Sequence, residues 1–544
     1  MSFWENIIKP NKIIIFIALI FFHFCILFAA PYDMILVGDP ILDDLLFLSV
    51  DSGISILSFT PPFPPHEIEM FLSMIDVSEL SPSAQDAFYR VNDRLYPSAP
   101  LNITSDFFTL FVNINAELEM RARTNYDIPW HPFYSKPPAI ISIPTRAFFS
   151  DSVCLYIEPM FAVDPQDYSN FYYFGTNLPI NTERIADLNL PLRAFFTMGG
   201  PWWNFQLGRD RLFYGTGHTG NLAISDIPDF YEFMRLSFFS KILKYSLLVS
   251  QMPLELSDEF YPKLDTDAGY LTRTTQRYLY LHRLDFTLFK KLSIGLMEGI
   301  MVGNSSPEIR YLNPLMVYHS FFAWYNYDSW QEGYSDMVGS LLGIEVNWNI
   351  TKSLAFYGQF NMNEFATQHE LRIDPEQPPN CLGYMAGLRF SRSYNTWASL
   401  FFIEFVKTDP YLHMLSTPFS SFVHMRYLAM SRRLQYNYIG YPRDTIALTA
   451  GTDFFKRDDI KLSAAFSWIS RGEHATENVV WDWENGSPYN KEKTPSGKTV
   501  NNFVLSCAAQ WKLYSFLFLN GNVTGIISNN DYGGQVSFSV RFLF

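Results

Sequence analysis

The stretch Gln535-Val536-Ser537-Phe538-Ser539-Val540-Arg541-Phe542-Leu543-Phe544 decides the fold. In an extended chain side chains alternate faces, so Val536, Phe538, Val540, Phe542 and Phe544 share one side while Gln535, Ser537, Ser539 and Arg541 share the other. A membrane barrel needs that division, one face for acyl chains and one for a polar lumen. A soluble sheet covered by a core uses the same pattern, so recurrence upstream has to carry the assignment.

It recurs over lengths that soluble strands seldom reach. Leu110, Val112, Ile114, Ala116, Leu118, Met120 and Ala122 face one way, and Asn113, Asn115, Glu117, Glu119, Arg121 and Arg123 face the other. Soluble strands average about five or six residues, whereas a tilted membrane-spanning strand needs about nine to eleven. Leu342, Ile344, Val346, Trp348 and Ile350 likewise oppose Gly343, Glu345, Asn347 and Asn349. After the turn Thr351-Lys352-Ser353, Phe356, Phe360 and Met362 oppose Tyr357, Gln359, Asn361 and Asn363. Further hairpins are predicted from Ile446 to Trp468 around Lys456-Arg457-Asp458-Asp459, and from Phe503 to Val523 around Lys512-Leu513-Tyr514-Ser515. Short polar turns suit the periplasmic end of an outer-membrane barrel, whose opposite loops are longer.

Composition agrees. Aromatic residues make up 17% of the 544, and charged residues only 17%, as a lipid-facing band between aromatic girdles requires. One apolar run, Ile13 to Ala30, is long enough for a membrane helix, where a helical membrane protein would carry several. It follows Lys9 and Lys12 and ends in Ala29-Ala30, so residues 1–30 read as a secretory signal. An uncleaved anchor helix is the competing reading, because the run is long and Pro31 disfavours cleavage. Cys25 belongs to this run, and Cys154, Cys381 and Cys507 are too scattered for a disulfide framework or a metal site. The formal net charge of −14 argues against nucleic acid as a partner, since phosphates demand a basic surface.

Residues 31–104 differ in character. Ile41, Leu42, Leu45 and Leu46 recur at helical spacing, as do Ile68, Phe71, Leu72 and Ile75 after Pro64-Pro65. Ser81-Pro82 places an N-cap and an N1 proline before Phe88, Val91 and Leu95. Adjacent Asp43 and Asp44 point apart on a helix and read as a solvated face. From 105 to 544, roughly two dozen residues per strand and connection give about 16 to 18 strands. The fold expected is all-β, a closed antiparallel transmembrane β-barrel preceded by a small α-helical periplasmic segment.

The longest polar connection, Arg471 to Asn502, centres on Trp481-Asp482-Trp483. Aromatic faces stack against the C–H side of a sugar ring while carboxylates bond its hydroxyls, so these three are candidate ligand-binding residues. An interfacial aromatic belt is the alternative. The segment Leu207 to Ser225 holds a formal GxGxxG at Gly215, Gly217 and Gly220. A dinucleotide site needs a helix to follow, and Pro228 forbids a long one, so the glycines read as a structural turn. Arg209, Asp210 and Arg211, with Glu117, Glu119, Arg121 and Arg123, read as a polar network of the lumen or rim. Asp210, His218 and Ser225 have the residue types of a hydrolytic triad without a nucleophile motif. His66-Glu67 opens a zincin pattern that Met70 breaks. No metal or cofactor is expected.

Four blocks also resemble a known family. Leu207 to Ser225, Pro307-Glu308-Ile309-Arg310-Tyr311-Leu312-Asn313-Pro314-Leu315-Met316, Leu354 to Phe365 with Tyr357-Gly358-Gln359-Phe360, and the opening Pro40 to Asp76 are similar to blocks of the Wzi-like capsule assembly proteins. The resemblance implies an outer-membrane barrel with a helical element on its periplasmic side. It implies a lectin that attaches capsular or other exopolysaccharide to the surface of a diderm bacterium, not an enzyme. A porin-like channel for small solutes and an outer-membrane hydrolase are the alternatives. The partners expected are outer-membrane lipid, extracellular polysaccharide and the barrel assembly machinery, for which Phe542 and Phe544 are the assembly signal.

Overall fold

The computed structural model describes residues 32–96, 98–105, 107–125, 137–149, 152–162, 174–178, 191–255, 274–303, 306–318, 338–365, 372, 380–414, 420–428, 433–456, 459–475, 492–529 and 531–544. The chain opens with three helices, α1 (Ile41–Ser52), α2 (Pro65–Leu72) and α3 (Pro82–Arg94). Pro65 and Pro82 start the second and third at positions where a missing N–H costs nothing, and the Ser81 hydroxyl caps the third at the Ala84 N–H, 3.4 Å away.

The barrel strands follow. The first half comprises β1 (Thr109–Val112 continued by Asn115–Arg123), β2 (Ile141–Ser142 and Thr145–Phe148), β3 (Val153–Ile157 and Met160–Phe161), β4 (Ala194–Gly200), β5 (Trp203–Asp210), β6 (Tyr231–Phe239), β7 (Leu243–Gln251), β8 (Arg277–Leu288) and β9 (Leu292–Gly303). The second half comprises β10 (Val338–Thr351), β11 (Leu354–Glu364), β12 (Cys381–Tyr394), β13 (Trp397–Thr408), β14 (Thr445–Lys456), β15 (Ile460–Arg471), β16 (Val500–Tyr514), β17 (Leu517–Ser528) and β18 (Asp531–Leu543). Each pairs antiparallel with the next. The last pairs with the first, Val540 opposite Leu118 and Phe538 opposite Met120, so among the described residues eighteen strands close into a ring. Phe544 and Ile114 exchange both backbone hydrogen bonds, at 2.8 and 2.7 Å, just beyond the paired strands. Closure removes the unpaired edges that lipid does not tolerate.

The period-two reading matches the walls. Leu118, Met120, Leu342, Trp348, Val536 and Phe538 are exposed on the outer face, while Glu119, Arg121, Glu345, Ser537 and Ser539 are buried inside. The turn expected at Lys512-Leu513-Tyr514-Ser515 lies later, at Ser515-Phe516, because Trp511, Lys512 and Tyr514 still pair with β17. Connections alternate between two- to four-residue turns and longer loops, the short turn between β17 and β18 excepted.

The helices sit at the short-turn end and stop the mouth of the barrel. Ile41, Leu45, Phe71 and Val91 share a core with Ala355, Ala398, Leu400 and Phe455 of the inner wall. Each such buried Ile, Leu, Phe or Val side chain stabilises by about 2 kcal/mol. Ser353 N–H donates to Val50 O and Ser55 N–H to Lys290 O, both at 2.8 Å, tying the segment to two turns. Asp44, 12% exposed, is not part of a solvated face, whereas Asp43, 38% exposed, keeps its contact with solvent. Asp44 accepts two bonds from Arg90 of α3, and Asp43 pairs with Lys461 of the wall. The burial of α1 against its neighbours brings those cations to them.

Candidate functional site

The loop 211–230, between β5 and β6, turns back into the lumen rather than outward. Gly215 N–H donates to Phe59 O at 2.8 Å, and Tyr214 bridges Ile224. Leu212, Tyr214, Ala223 and Ile224 then pack on Phe233, Leu248, Leu279 and Met301, inward residues of β6 to β9. The wall opposite holds the tip. Glu404 of β13 accepts the N–H of His218 at 2.6 Å and of Thr219 at 3.0 Å, together with the Thr219 hydroxyl and, at 2.9 Å, the Tyr357 hydroxyl. Gln359 accepts from Leu222 N–H at 2.9 Å and donates to Asn221 at 2.6 Å, and Arg389 donates to Thr216 O. Successive N–H groups on a glycine-rich bend make an anion-binding concavity. Here the chain's own carboxylate fills it.

The glycines serve that approach. Gly215 has φ +127°, and a Cβ there would meet Gln359 Nε2 at 2.3 Å; one on Gly217 would meet Gly220 O at 1.8 Å. Gly220 has φ +137°. The three triad-type residues form no relay. Asp210 is engaged by Arg193 at 3.2 Å and by Arg211 N–H at 2.7 Å, His218 stacks on Phe402, and the Ser225 hydroxyl has no hydrogen-bond partner among the described residues. Glu67 of the broken zincin pattern is instead buried against Lys244 at 2.7 Å. Burial raises its pKa and the ammonium opposes the rise.

A second segment, the described residues 409–414, 420–428 and 433–444 between β13 and β14, covers the plug from the long-loop side. Tyr441 N–H donates to Asn221 O at 2.7 Å, and Ile439 O accepts from Ser225 N–H and the Tyr231 hydroxyl. Arg277 donates to Met252 O and Ser421 O at 3.0 and 2.9 Å and to Val423 O, pinning the cover to the rim. His413 lies fully buried within the cover, and burial pushes its imidazole down to about 3. Asp444 grips both roots of the 472–499 connection: it accepts Ser496 N–H at 2.9 Å, the Ser496 hydroxyl at 2.6 Å and His474 N–H at 3.1 Å. Glu492 binds His474 at 2.9 Å and Tyr411 at 3.1 Å beside it. Trp481, Asp482 and Trp483, in the same connection, lie outside the described residues.

The predicted polar network divides. Arg121 pairs with Glu119 at 2.9 Å inside the barrel, and Glu117 accepts Asn520 and Ser539 across the seam between β1 and β18. Arg123 closes the same strand. Arg209 faces outward to Glu232 and over the Phe230 ring, while Asp210 faces inward, so the Arg209-Asp210-Arg211 run does not act as one cluster. Between the helical segment and β1–β3 and β14–β18 remains a charged cavity of about 670 Å³, lined by Asp39, Asp93, Arg146, Lys512 and Arg541 among others. Among the described residues no group of three or more metal-ligating side chains occurs.

An eighteen-strand ring with an apolar outer wall, stopped at one end by helices and crossed by an inward loop, defines a plugged outer-membrane β-barrel. Residues 116–427 match the family described as capsule assembly protein Wzi, and the chain belongs to that family. Among solved structures the fold is similar to Wzi of Escherichia coli, described as an outer membrane protein involved in group 1 capsule assembly and a carbohydrate-binding β-barrel. The identity is 14% and the TM-score 0.56, over 94% of this chain and 98% of that one. OccD3 (OpdP) of Pseudomonas aeruginosa aligns at 9% identity and TM-score 0.42, over 82% and 93% of the two chains. OprD of the same organism aligns at 9% and 0.40, over 80% and 95%. None of the curated proteins compared matches the chain. The protein resides in the bacterial outer membrane.

Proposed function

We propose that this protein is a non-enzymatic lectin that attaches capsular or other exopolysaccharide to the cell surface, with its long-loop end outward and its helices in the periplasm. The observation that carries the reading is the obstruction of the lumen on its β6–β14 side. A transport barrel needs a continuous wet path, whereas here helices, an apolar plug and a cover occupy successive levels of one half of the lumen. What remains for function is the outward surface, where Asp444 fixes the roots of the connection bearing Trp481, Asp482 and Trp483. The barrel assembly machinery would receive the chain through its last strand with Phe542 and Phe544.

The competing channel reading has one observation in its favour. The inner faces of β16 to β18 are polar, with Gln510, Asn520 and Asn522 incompletely buried, and they lead to the 670 Å³ cavity. One pair of measurements separates the two. A Trp481→Ala, Trp483→Ala double variant, correctly inserted, should lose cell-surface polysaccharide, and the purified wild-type protein should show no steady conductance in planar bilayers. Full retention of polysaccharide by the variant removes this loop from the site, and sustained conductance by the wild type replaces the lectin with a channel.

A further inference from the structure

One sector of the outer wall does not look like a surface for acyl chains. On β8 the residues Arg277, Leu279, Leu281, Arg283 and Asp285 point inward and are fully buried, so Tyr278, Tyr280, His282 and Leu284 point outward. His282 lies beside Glu298, outward on β9, with Nε2 to Oε2 at 3.0 Å. Glu298 is six residues from the short-turn start of β9 at Leu292, about 15 Å up a hydrocarbon band about 25 Å tall. Bare carboxylate and imidazole do not belong at that depth against lipid.

They are not bare. Residues 306–318, which follow β9, fold back over the outside of the barrel. Tyr318 stacks on His282 with ring centroids 4.3 Å apart, and its N–H donates to Glu298 at 2.9 Å. Tyr311 and Tyr318 join Tyr280, Ile300 and Val302 in a buried cluster, and the Tyr318 hydroxyl donates to Tyr311 O at 2.7 Å. The outer side of this flap is led by apolar side chains, Ile309 85% exposed, Leu315 90% and Val317 59%, beside an Arg310–Glu308 ion pair, 44% and 31% exposed, whose guanidinium lies over the Tyr311 ring. Those apolar side chains continue the lipid-facing surface of Leu284, Leu296 and Leu342 on the strands beneath.

Much of the flap's backbone polarity is met within the protein. Irregular chain survives beside lipid only where its polar groups are satisfied within the protein. Pro307 and Pro314 carry no N–H. The N–H groups of Tyr311, Asn313 and Met316 donate to backbone carbonyls in the flap, that of Leu315 to the Asn313 side chain, that of Glu308 to the Tyr280 hydroxyl and that of Tyr318 to Glu298.

We infer that residues 306–318 form a membrane-embedded flap whose surface partner is the acyl-chain region of the outer leaflet, seated by Ile309, Leu315 and Val317. In this sector the flap, not the strands, is the wall that lipid meets. The inference does not depend on glycan binding.

The test uses the full-length protein with its exposed Cys507 replaced by Ser and Leu315→Cys carrying a fluorophore, reconstituted in phosphatidylcholine vesicles with or without dibrominated acyl chains. Leu315 touches water or lipid rather than core, so the label leaves the fold intact, and a Lys352→Cys label at a short turn is the aqueous control. Quenching by brominated chains should exceed quenching by iodide several-fold at 315 and reverse at 352. Iodide dominating at both positions places the flap in water and overturns the inference. Efficient disulfide formation between unlabelled Leu315→Cys copies in dilute vesicles also overturns it, by assigning the surface to a second barrel.

Discussion

Glu404 gathers two backbone N–H groups and two hydroxyls onto one carboxylate, 185 positions from Thr219. Hydrogen bonds to a charged group are worth about 1.5–3 kcal/mol each, and orphaning buried donors adds to their loss. Glu404→Ala should therefore lower stability by about 3 kcal/mol or more and free the plug tip. The checks are a lower midpoint of heat-modified gel mobility and new conductance in bilayers. His413 sets an acid limit. Its folded pKa is depressed, so its neutral form is stabilising above the ordinary histidine value, and that contribution is lost as pH falls. Between about 6.5 and 3 the unfolded chain binds a proton that the native one refuses, which costs about 1.4 kcal/mol per pH unit. Unfolding free energies at pH 7 and pH 5 should differ by about 2 kcal/mol more in the wild type than in His413→Asn, a replacement that tolerates the φ of +67° there.

At the scale of elements, the helical segment is fastened by a few long-range ion pairs. Lys244 donates to Glu67 at 2.7 and 2.9 Å and to Thr60 at 2.8 Å, all buried. Removing one member leaves an unpaired buried charge, at a cost of about 3–5 kcal/mol, while replacing both with apolar residues of similar volume is close to neutral. Lys244→Met should expose residues 32–96 to protease, and Glu67→Met with Lys244→Met should restore protection. The helices themselves were legible from apolar spacing and proline starts, because those signals are local. The partners of Asp43 and Asp44 were not, since Lys461 and Arg90 are far along the chain. The turn after β16 was misplaced for a related reason: Lys512 and Tyr514 look like turn residues until β17 is there to pair with them.

At the scale of the molecule, lipid imposes the alternation, so the barrel could be read from its recurrence in β1, β10, β11 and β18. The plug could not be read from its own glycines, whose anion is Glu404 and whose apolar side meets other strands. The signal that reveals it lies on the strands. Leu279, Leu281, Met297 and Met301 face the lumen, where a water-filled barrel would carry polar groups. Such a face requires an apolar filler. Deleting Phe544 removes the last backbone exchange with Ile114 and the ring stacked on Phe542 and Phe516; inserted, heat-modifiable protein should fall sharply in outer-membrane fractions while export persists. The seam also has a temporal consequence. Ser539 and Glu117 meet across 422 positions, and contacts that distant form late because loop-closure entropy must be overcome first. The inward loop is held by Glu404 across 185 positions, far fewer than that final pairing, so the plug is seated before the wall is complete. The seam behaves as a door shut on a room already half furnished, and a variant that seats its plug poorly should close more slowly than the wild type and carry the defect into the finished pore.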